Sequence, residues 1–378
     1  MADKKKLIRV TTADISLDRL LKGQLRFLNQ YFEIIGVASD TGILKEVGDR
    51  EGIRVIDIPM HREISIVNDV ISLWKLYRFF RKEAPYIVHA NTPKGSLLSM
   101  IAAWMARIPN RIYLVTGLRY QGASGLFKAL LRTMERISCR FATVVIPEGQ
   151  GVKNTLISDI ICKRPSNVLH YGNINGIDIE YFSVDTIKES KGEIRQKMGI
   201  MDNDFVFIFI GRIVRDKGMC ELVEALRRFD ANVKLLLVGN FEPKLDPLPE
   251  DVANFLQNDN RVVYVGWQED VRPYLKAADI LVCPSYREGF PNVPIQAGAM
   301  GLPSIVTDIN GCNEIVINED NGIIIQPRDA NSLYEKMNWL LNNPEEVKKM
   351  SDNARKLITS RYDQRDVWQA LLNMYESL

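Results

Sequence analysis

The chain has 378 residues, 46% of them hydrophobic and 25% charged, with a formal net charge of +2. That length exceeds what one core usually serves, so two domains of roughly 150–200 residues are expected, and the composition is that of an ordinary globular protein rather than a disordered, fibrous or membrane-embedded one. Five scattered cysteines without a C-x-x-C pair argue against a disulfide framework and a zinc site, and fit a reducing cytoplasm. The near-neutral total hides an asymmetry. Residues 1–170 hold 26 basic and 15 acidic residues, and residues 171–378 hold 23 and 32. Between 75 and 140, twelve cations face only Glu83 and Glu135, a footprint for an anionic partner. No stretch resembles a signal peptide, and the longest near-apolar run, Leu97–Ala106, is too short to cross a bilayer.

In chain order, the runs LIRVTT, FEIIGVAS, IRVIDIP, YIVHA, RIYLVT, TVVIP and SNVLHY read as strands in the first half. DFVFIFIG, NVKLLLVG, RVVYVG, DILVCPS, PSIVT and GIIIQP follow in the second, with helical segments between nearly all of them. Strands apolar on both faces, alternating with helices, imply parallel sheets covered on each side, hence two doubly wound Rossmann-like domains. The glycine- and asparagine-rich stretch 170–190 marks the join. Residues 1–175 form the expected first domain, 176–361 the second, and the amphipathic segment from about 362 to 378 returns to brace the first. Two such domains create a cleft at the carboxyl ends of their strands, where ligands of open α/β sheets bind.

GRIVRDKG, after the strand DFVFIFIG, places Arg212 and Lys217 beside a helix start, a pair suited to a diphosphate. The loop lacks the P-loop pattern. GQGVKN after TVVIP has Asn154 in place of the third glycine of a dinucleotide fingerprint, which argues against a dehydrogenase. Asp202-Asn203-Asp204 precedes a strand and reads as a turn rather than a cation site. His61, His89 and His170 stand far apart, so no histidine metal site or Ser-His-Asp triad is expected, and His89 is the one at a plausible ligand-facing strand end. No nucleic-acid recognition motif accompanies the basic first half.

Together and in order, GRIVRDKG, ILVCPSYREGFPNVPIQAGAMGLP and NGIDIEYF resemble glycosyltransferase family 4, retaining sugar-nucleotide transferases of the GT-B fold; VHANTPKGSLLSMIAA and TGLRYQG look most like bacterial members that build capsular or O-antigen polysaccharide on a lipid carrier. The resemblance spans the whole chain. It implies that Arg212 and Lys217 bind the donor diphosphate and that Glu288 touches donor-sugar hydroxyls. Gly211, Gly239, Gly289, Phe290, Pro291, Asn292 and Val293 would line the donor, with the backbone of Trp267 and Gln268 at the nucleobase. Where the family carries a second glutamate for the ribose, this chain has Gln296, whose amide can still hydrogen-bond hydroxyls. Thr116 stands where many members have a histidine, and Ile15-Ser16 where they have a glycine pair.

The expected reaction is retaining transfer of a hexosyl or N-acetylhexosaminyl group from a nucleoside-diphosphate sugar, UDP rather than GDP, to a lipid-linked saccharide. No metal and no cofactor is expected, because cations and helix amides serve the leaving diphosphate. Ser16, His89, Thr92, Lys94, Thr116 and Arg119 are the acceptor-side candidates. The helix GLFKALLRTMERISCR is a candidate contact with an anionic membrane, or a core-packed helix with a solvated basic face. The expected location is cytoplasmic, peripheral on the inner face of the plasma membrane. A sugar-nucleotide epimerase and a sugar-nucleotide-binding pseudo-enzyme are the alternatives. The sugar, the acceptor linkage and the oligomeric state are not legible in the sequence.

Overall fold

A computed structural model describes residues 4–61, 65–230, 232–244 and 246–378. The chain divides into two compact units, Met1–Gly176 with Gln364–Leu378, and Ile177–Asp363.

The first unit is built on a six-stranded parallel sheet of β1 (Lys6–Ala13), β2 (Glu33–Ser39), β3 (Arg54–Asp57), β4 (Ile87–Ala90), β5 (Asn110–Val115) and β6 (Val144–Pro147), in the order β3-β2-β1-β4-β5-β6. The reversal of direction beside β1 puts helices on both faces, which is why β1 and β4 are buried almost throughout. One face packs against helices Ile66–Glu83, Pro93–Met105 and Gly125–Phe141 through Leu76, Phe80, Leu98, Met100 and Leu131. On the other, Leu17, Leu25 and Leu28 meet Leu371, Leu372 and Tyr375, so the chain's last helix, Gln364–Glu376, belongs to this core. SNVLHY is not a strand. Its Ser166 amide reaches the Val145 carbonyl at 2.8 Å, but His170 and Asn173 adopt left-handed backbone and turn the chain away.

The second unit repeats the plan with β7 (Phe205–Ile210), β8 (Val233–Val238), β9 (Val262–Gly266), β10 (Ile280–Cys283), β11 (Ser304–Thr307) and β12 (Gly322–Ile325), ordered β12-β11-β10-β7-β8-β9. All pairs are parallel. The switch point between β7 and β10 therefore lies at the sheet's centre, and the loops leaving those two strands diverge around a crevice. Asp202–Asp204 forms the expected turn, with the Asp204 carboxylate accepting from the Met201 amide at 2.9 Å.

Candidate functional site

The second unit's site is assembled where β7, β8 and β10 end. Gly211 and Gly239 follow β7 and β8, and a side-chain carbon on Gly239 would sit 1.8 Å from the Gly211 carbonyl oxygen. Only glycine lets these two exits touch. Arg212 comes next, 43% exposed at its side chain, with Nη1 3.6 Å from Glu242. The chain then makes a single turn of 3-10 helix, Arg215–Lys217, and enters helix Met219–Leu226 through Gly218, which is left-handed at φ 74°. A Cβ on Gly218 would lie 2.1 Å from the Pro284 carbonyl oxygen, so Lys217 is held directly against the exit of β10.

That exit is clamped at several points. The Tyr286 amide donates to the Asp216 carbonyl at 2.9 Å, the Tyr286 hydroxyl to Glu221 at 2.7 Å, and Thr307 to the Ser285 carbonyl at 2.6 Å. Arg287 pairs with Asp216 at 2.8 Å. Within this frame Lys217 donates to Glu288 in an ion pair whose side chains are 18% and 16% exposed. Burial works against the lysine's charge, but the Glu288 carboxylate outweighs it, and the ammonium titrates above its ordinary value. It is therefore cationic throughout the physiological range.

Past Glu288 the backbone of Gly289 and Phe290 passes so close to Gly311 that a Cβ there would stand 2.5 Å from the Gly289 oxygen. Phe290 is buried, its ring 5.8 Å from that of Tyr362. Pro291 introduces helix Asn292–Ala299, whose first turn carries no acidic residue, so no carboxylate of that turn offsets the positive end of the helix. Val293 and Gln296 are partly exposed on this helix. Gln296, four residues beyond Asn292, shares its face. On the far side of the sheet β9 ends in left-handed Gly266; Trp267 is 54% exposed, and the Gln268 side chain folds back to the Val265 carbonyl at 2.7 Å.

Two participants carry no motif. Glu242 and Asp246, from the stretch after β8, lie against the Arg212–Lys217 loop: Asp246 accepts the Asp216 amide at 2.7 Å, and Glu242 stands over Arg212. The only signal available beforehand was their position after the carboxyl end of β8.

In the first unit, the end of β1 and the start of helix Pro93–Met105 are tied together. The Thr12 amide and hydroxyl both reach Thr92 Oγ1 at 2.8 Å, and the Gly95 amide donates to Thr12 Oγ1 at 3.1 Å. Thr116 donates to the Asn91 carbonyl at 3.0 Å, Arg119 is exposed at the start of a 3-10 turn, and Ser16 is partly exposed in helix Asp14–Leu20. Two acceptor-side expectations need correction. Lys94 is 6% exposed and pairs with Asp69 at 2.7 Å, because its helix packs tightly against helix Ile66–Glu83. His89 is fully buried: its Nδ1 meets the Tyr375 hydroxyl of the returning helix, and the same hydroxyl accepts from Arg9 at 3.2 Å. Burial and then the Arg9 charge hold the imidazole well below its usual range, so it stays neutral. His89 is part of the seat of the C-terminal helix, not of a ligand surface.

Residues 190–357 match the family model "Glycosyl transferases group 1", and residues 34–160 match "Glycosyl transferase 4-like domain". The capsular polysaccharide biosynthesis glycosyltransferase CapM of Staphylococcus aureus is 32% identical over 99% of this chain and 97% of its own length. The Escherichia coli UDP-Gal:alpha-D-GlcNAc-diphosphoundecaprenol alpha-1,3-galactosyltransferase is 28% identical over 94% of each. Among solved structures, Anabaena HepE in complex with UDP-glucose superposes with a TM-score of 0.83 at 19% identity, covering 99% of this chain and all of that one. WaaG, a glycosyltransferase of lipopolysaccharide biosynthesis, gives 0.73 at 16% identity, covering 97% and 98%. Both show the GT-B pair of Rossmann-like domains.

Proposed function

Because this chain belongs to the group 1, family 4 glycosyltransferases of bacterial surface polysaccharide synthesis, we propose that it moves a hexosyl or N-acetylhexosaminyl group, with retention, from a UDP-sugar to a lipid-linked saccharide. The observation that carries this reading is the Lys217–Glu288 pair fixed at the exit of β10, with Arg212 on the same loop as the lysine. Arg212, Lys217 and the first-turn amides of helix Asn292–Ala299 hold the donor diphosphate. Glu288, already bound to Lys217, takes sugar hydroxyls. Gln296 meets the ribose, and the backbone at Trp267 and Gln268 meets the base.

In the chemical step the bond from the anomeric carbon to the diphosphate oxygen breaks, its electron pair leaving with the diphosphate. The acceptor hydroxyl oxygen bonds to the anomeric carbon on the same face, and its proton passes to the departing phosphate oxygen. No separate general base is needed; the protein's task is to hold positive charge where negative charge develops. Arg212, Lys217 and the helix amides supply that charge, so the reaction proceeds without a divalent cation. UDP is favoured over GDP because the E. coli relative is named for UDP-Gal and the HepE structures hold UDP and UDP-glucose. A lipid-linked acceptor is favoured because relatives in E. coli and Campylobacter jejuni are named for diphosphoundecaprenol-linked sugars. On the acceptor side Thr92, Thr116, Arg119 and Ser16 remain available, and the reaction takes place at the inner membrane surface. No described helix is long and apolar enough to cross a membrane.

Incubating purified protein with labelled UDP- and GDP-hexoses, with and without a diphosphoundecaprenol-linked saccharide, tests the proposal. Label moving to the lipid fraction only when acceptor is present supports it. Isomerised donor without acceptor would mark an epimerase, and nucleotide binding with no turnover a pseudo-enzyme.

A further inference from the structure

Lys217 lies in a single turn of 3-10 helix, Arg215–Lys217, whose N-terminal flank offers no side-chain cap and which the left-handed Gly218 ends at once. A turn that short has few bonds of its own, so its place is set by what grips it from outside. The grip comes from three consecutive residues at the exit of β10. Tyr286 donates its amide to the Asp216 carbonyl at 2.9 Å and its hydroxyl to both Glu221 oxygens at 2.7 Å. Arg287 pairs with Asp216 at 2.8 Å, and Glu288 takes the Lys217 ammonium.

Tyr286 differs from its two neighbours in reaching both sides of the lysine. Asp216 precedes Lys217, and Glu221 follows it in the first turn of helix Met219–Leu226, so one residue spans the whole bend from the 3-10 turn into the helix. Its hydroxyl bond to a carboxylate is charge-assisted and therefore among the stronger kinds. Burial, and then Glu221, move the phenol's titration far above the ordinary tyrosine value, so the hydroxyl keeps its proton and remains a donor. The ring is held in turn by the Arg328 guanidinium, 4.6 Å from its centroid. The Arg287–Asp216 pair is more open, with side chains 45% and 21% exposed, and pairs of that kind contribute little.

We infer that Tyr286, acting through Glu221, is a positioning residue that sets Lys217 against the sugar-side phosphate of the donor. This rests on the reading of Lys217 as a ligand of the diphosphate. In that reading Glu288 takes sugar hydroxyls, so the lysine paired with it stands nearer the phosphate that bears the sugar than the one that bears the nucleoside. Loss of the Tyr286 hydroxyl removes the tie on the helix side of the lysine and leaves the one on Asp216. The loop can then tilt, and a displacement of about 1 Å is enough to weaken the contact between ammonium and phosphate.

Calorimetry of the full chain with UDP and with UMP tests this, since only UDP carries the sugar-side phosphate. Tyr286→Phe and Glu221→Ala should each weaken UDP about tenfold and leave UMP within about twofold of the wild type, which also reports that the variants are folded. Glu221→Gln, whose amide oxygen still accepts the hydroxyl, should bind UDP like the wild type. The double variant Tyr286→Phe/Glu221→Ala should lose about tenfold and not about a hundredfold, because the two side chains act through one bond. Unchanged UDP binding by Tyr286→Phe, equal weakening of UMP and UDP, a loss in Glu221→Gln as large as in Glu221→Ala, or a multiplied loss in the double variant would overturn the positioning role. Lys217→Ala separates the two readings: if it binds UDP as tightly as the wild type, or if the wild type binds no UDP, the donor reading itself falls.

Discussion

The ammonium of Lys217 is ion-paired to the carboxylate of Glu288, 71 positions away, at the carboxyl edge of the second sheet. Glu288 keeps the lysine charged, each partner holds the other aimed in a partly buried place, and removing either leaves the other uncompensated. Lys217→Ala and Glu288→Ala should therefore each lose at least about 2–3 kcal/mol of transition-state stabilisation, the scale of a preorganised electrostatic donor. Initial rates with saturating donor and acceptor measure this, and near wild-type turnover in either variant contradicts the assignment.

Gly218 presses the loop bearing Lys217 against Pro284, leaving 2.1 Å for any Cβ. Gly218→Ala must push the loop away from the exit of β10, since the clash is with backbone and not with a flexible side chain. Turnover should drop by about tenfold or more, because a displacement of about 1 Å at a charge-stabilising group is expensive. Gly52→Ala, at a left-handed position with open space around it, provides the comparison for backbone strain alone. Equal effects of the two substitutions on turnover would refute a positioning role for Gly218.

The Tyr375 hydroxyl joins the last helix to Arg9 and His89, all three fully or almost fully buried. Tyr375→Phe keeps the ring, strands His89 Nδ1 and removes one of the bonds of the Arg9 guanidinium, which keeps Gln24 and Asn91. A stability loss of about 1–3 kcal/mol is expected in urea unfolding, the usual cost of leaving buried polar atoms unpaired. A loss under about 0.5 kcal/mol would place the helix's anchorage in its apolar contacts instead.

Glu135 stands on the buried face of helix Gly125–Phe141, and burial raises its carboxyl to about 7 although Tyr113 donates to it. A carboxyl raised in the folded state keeps its proton there after the unfolded chain has lost it. Its contribution is thus complete below about pH 4.5 and declines as pH rises to 7 and beyond. Glu135→Gln should remove that decline, gaining up to about 3 kcal/mol on the wild type at pH 8 relative to pH 4. His89 acts with the opposite sign: its depressed imidazole costs stability as pH falls below 6.5. Because His89 is common to both proteins, the difference between their unfolding curves isolates Glu135. A pH-independent difference would show that Glu135 ionises normally.

Much of the fold was legible because the strands of both sheets are apolar on two faces, a pattern few other structures require. The family resemblance was legible because GRIVRDKG and EGFPNVPIQAG follow strands in the right order. SNVLHY misled for a physical reason: its alternation suits a strand, but the left-handed backbone at His170 cannot be seen in composition. His89 and Lys94 were placed by their positions near the end of β4 and within the first turn of the next helix. What removes them from a ligand surface comes from elsewhere, Tyr375 from the far end of the chain and Asp69 from a neighbouring helix. Glu242 and Asp246 belong to a loop with no signature at all, and only tertiary packing brings them to Arg212 and Asp216.

The proposed cradle for the donor's diphosphate consists of Arg212, Lys217 and the start of helix Asn292–Ala299. A crystal soaked with UDP tests it most directly. The diphosphate oxygens should lie about 3 Å from the Arg212 guanidinium, the Lys217 ammonium and the first-turn amides of that helix, with Arg212 turned away from Glu242. A nucleotide bound elsewhere, or Arg212 and Lys217 left with only Glu242 and Glu288 for company while UDP is bound, would contradict the account.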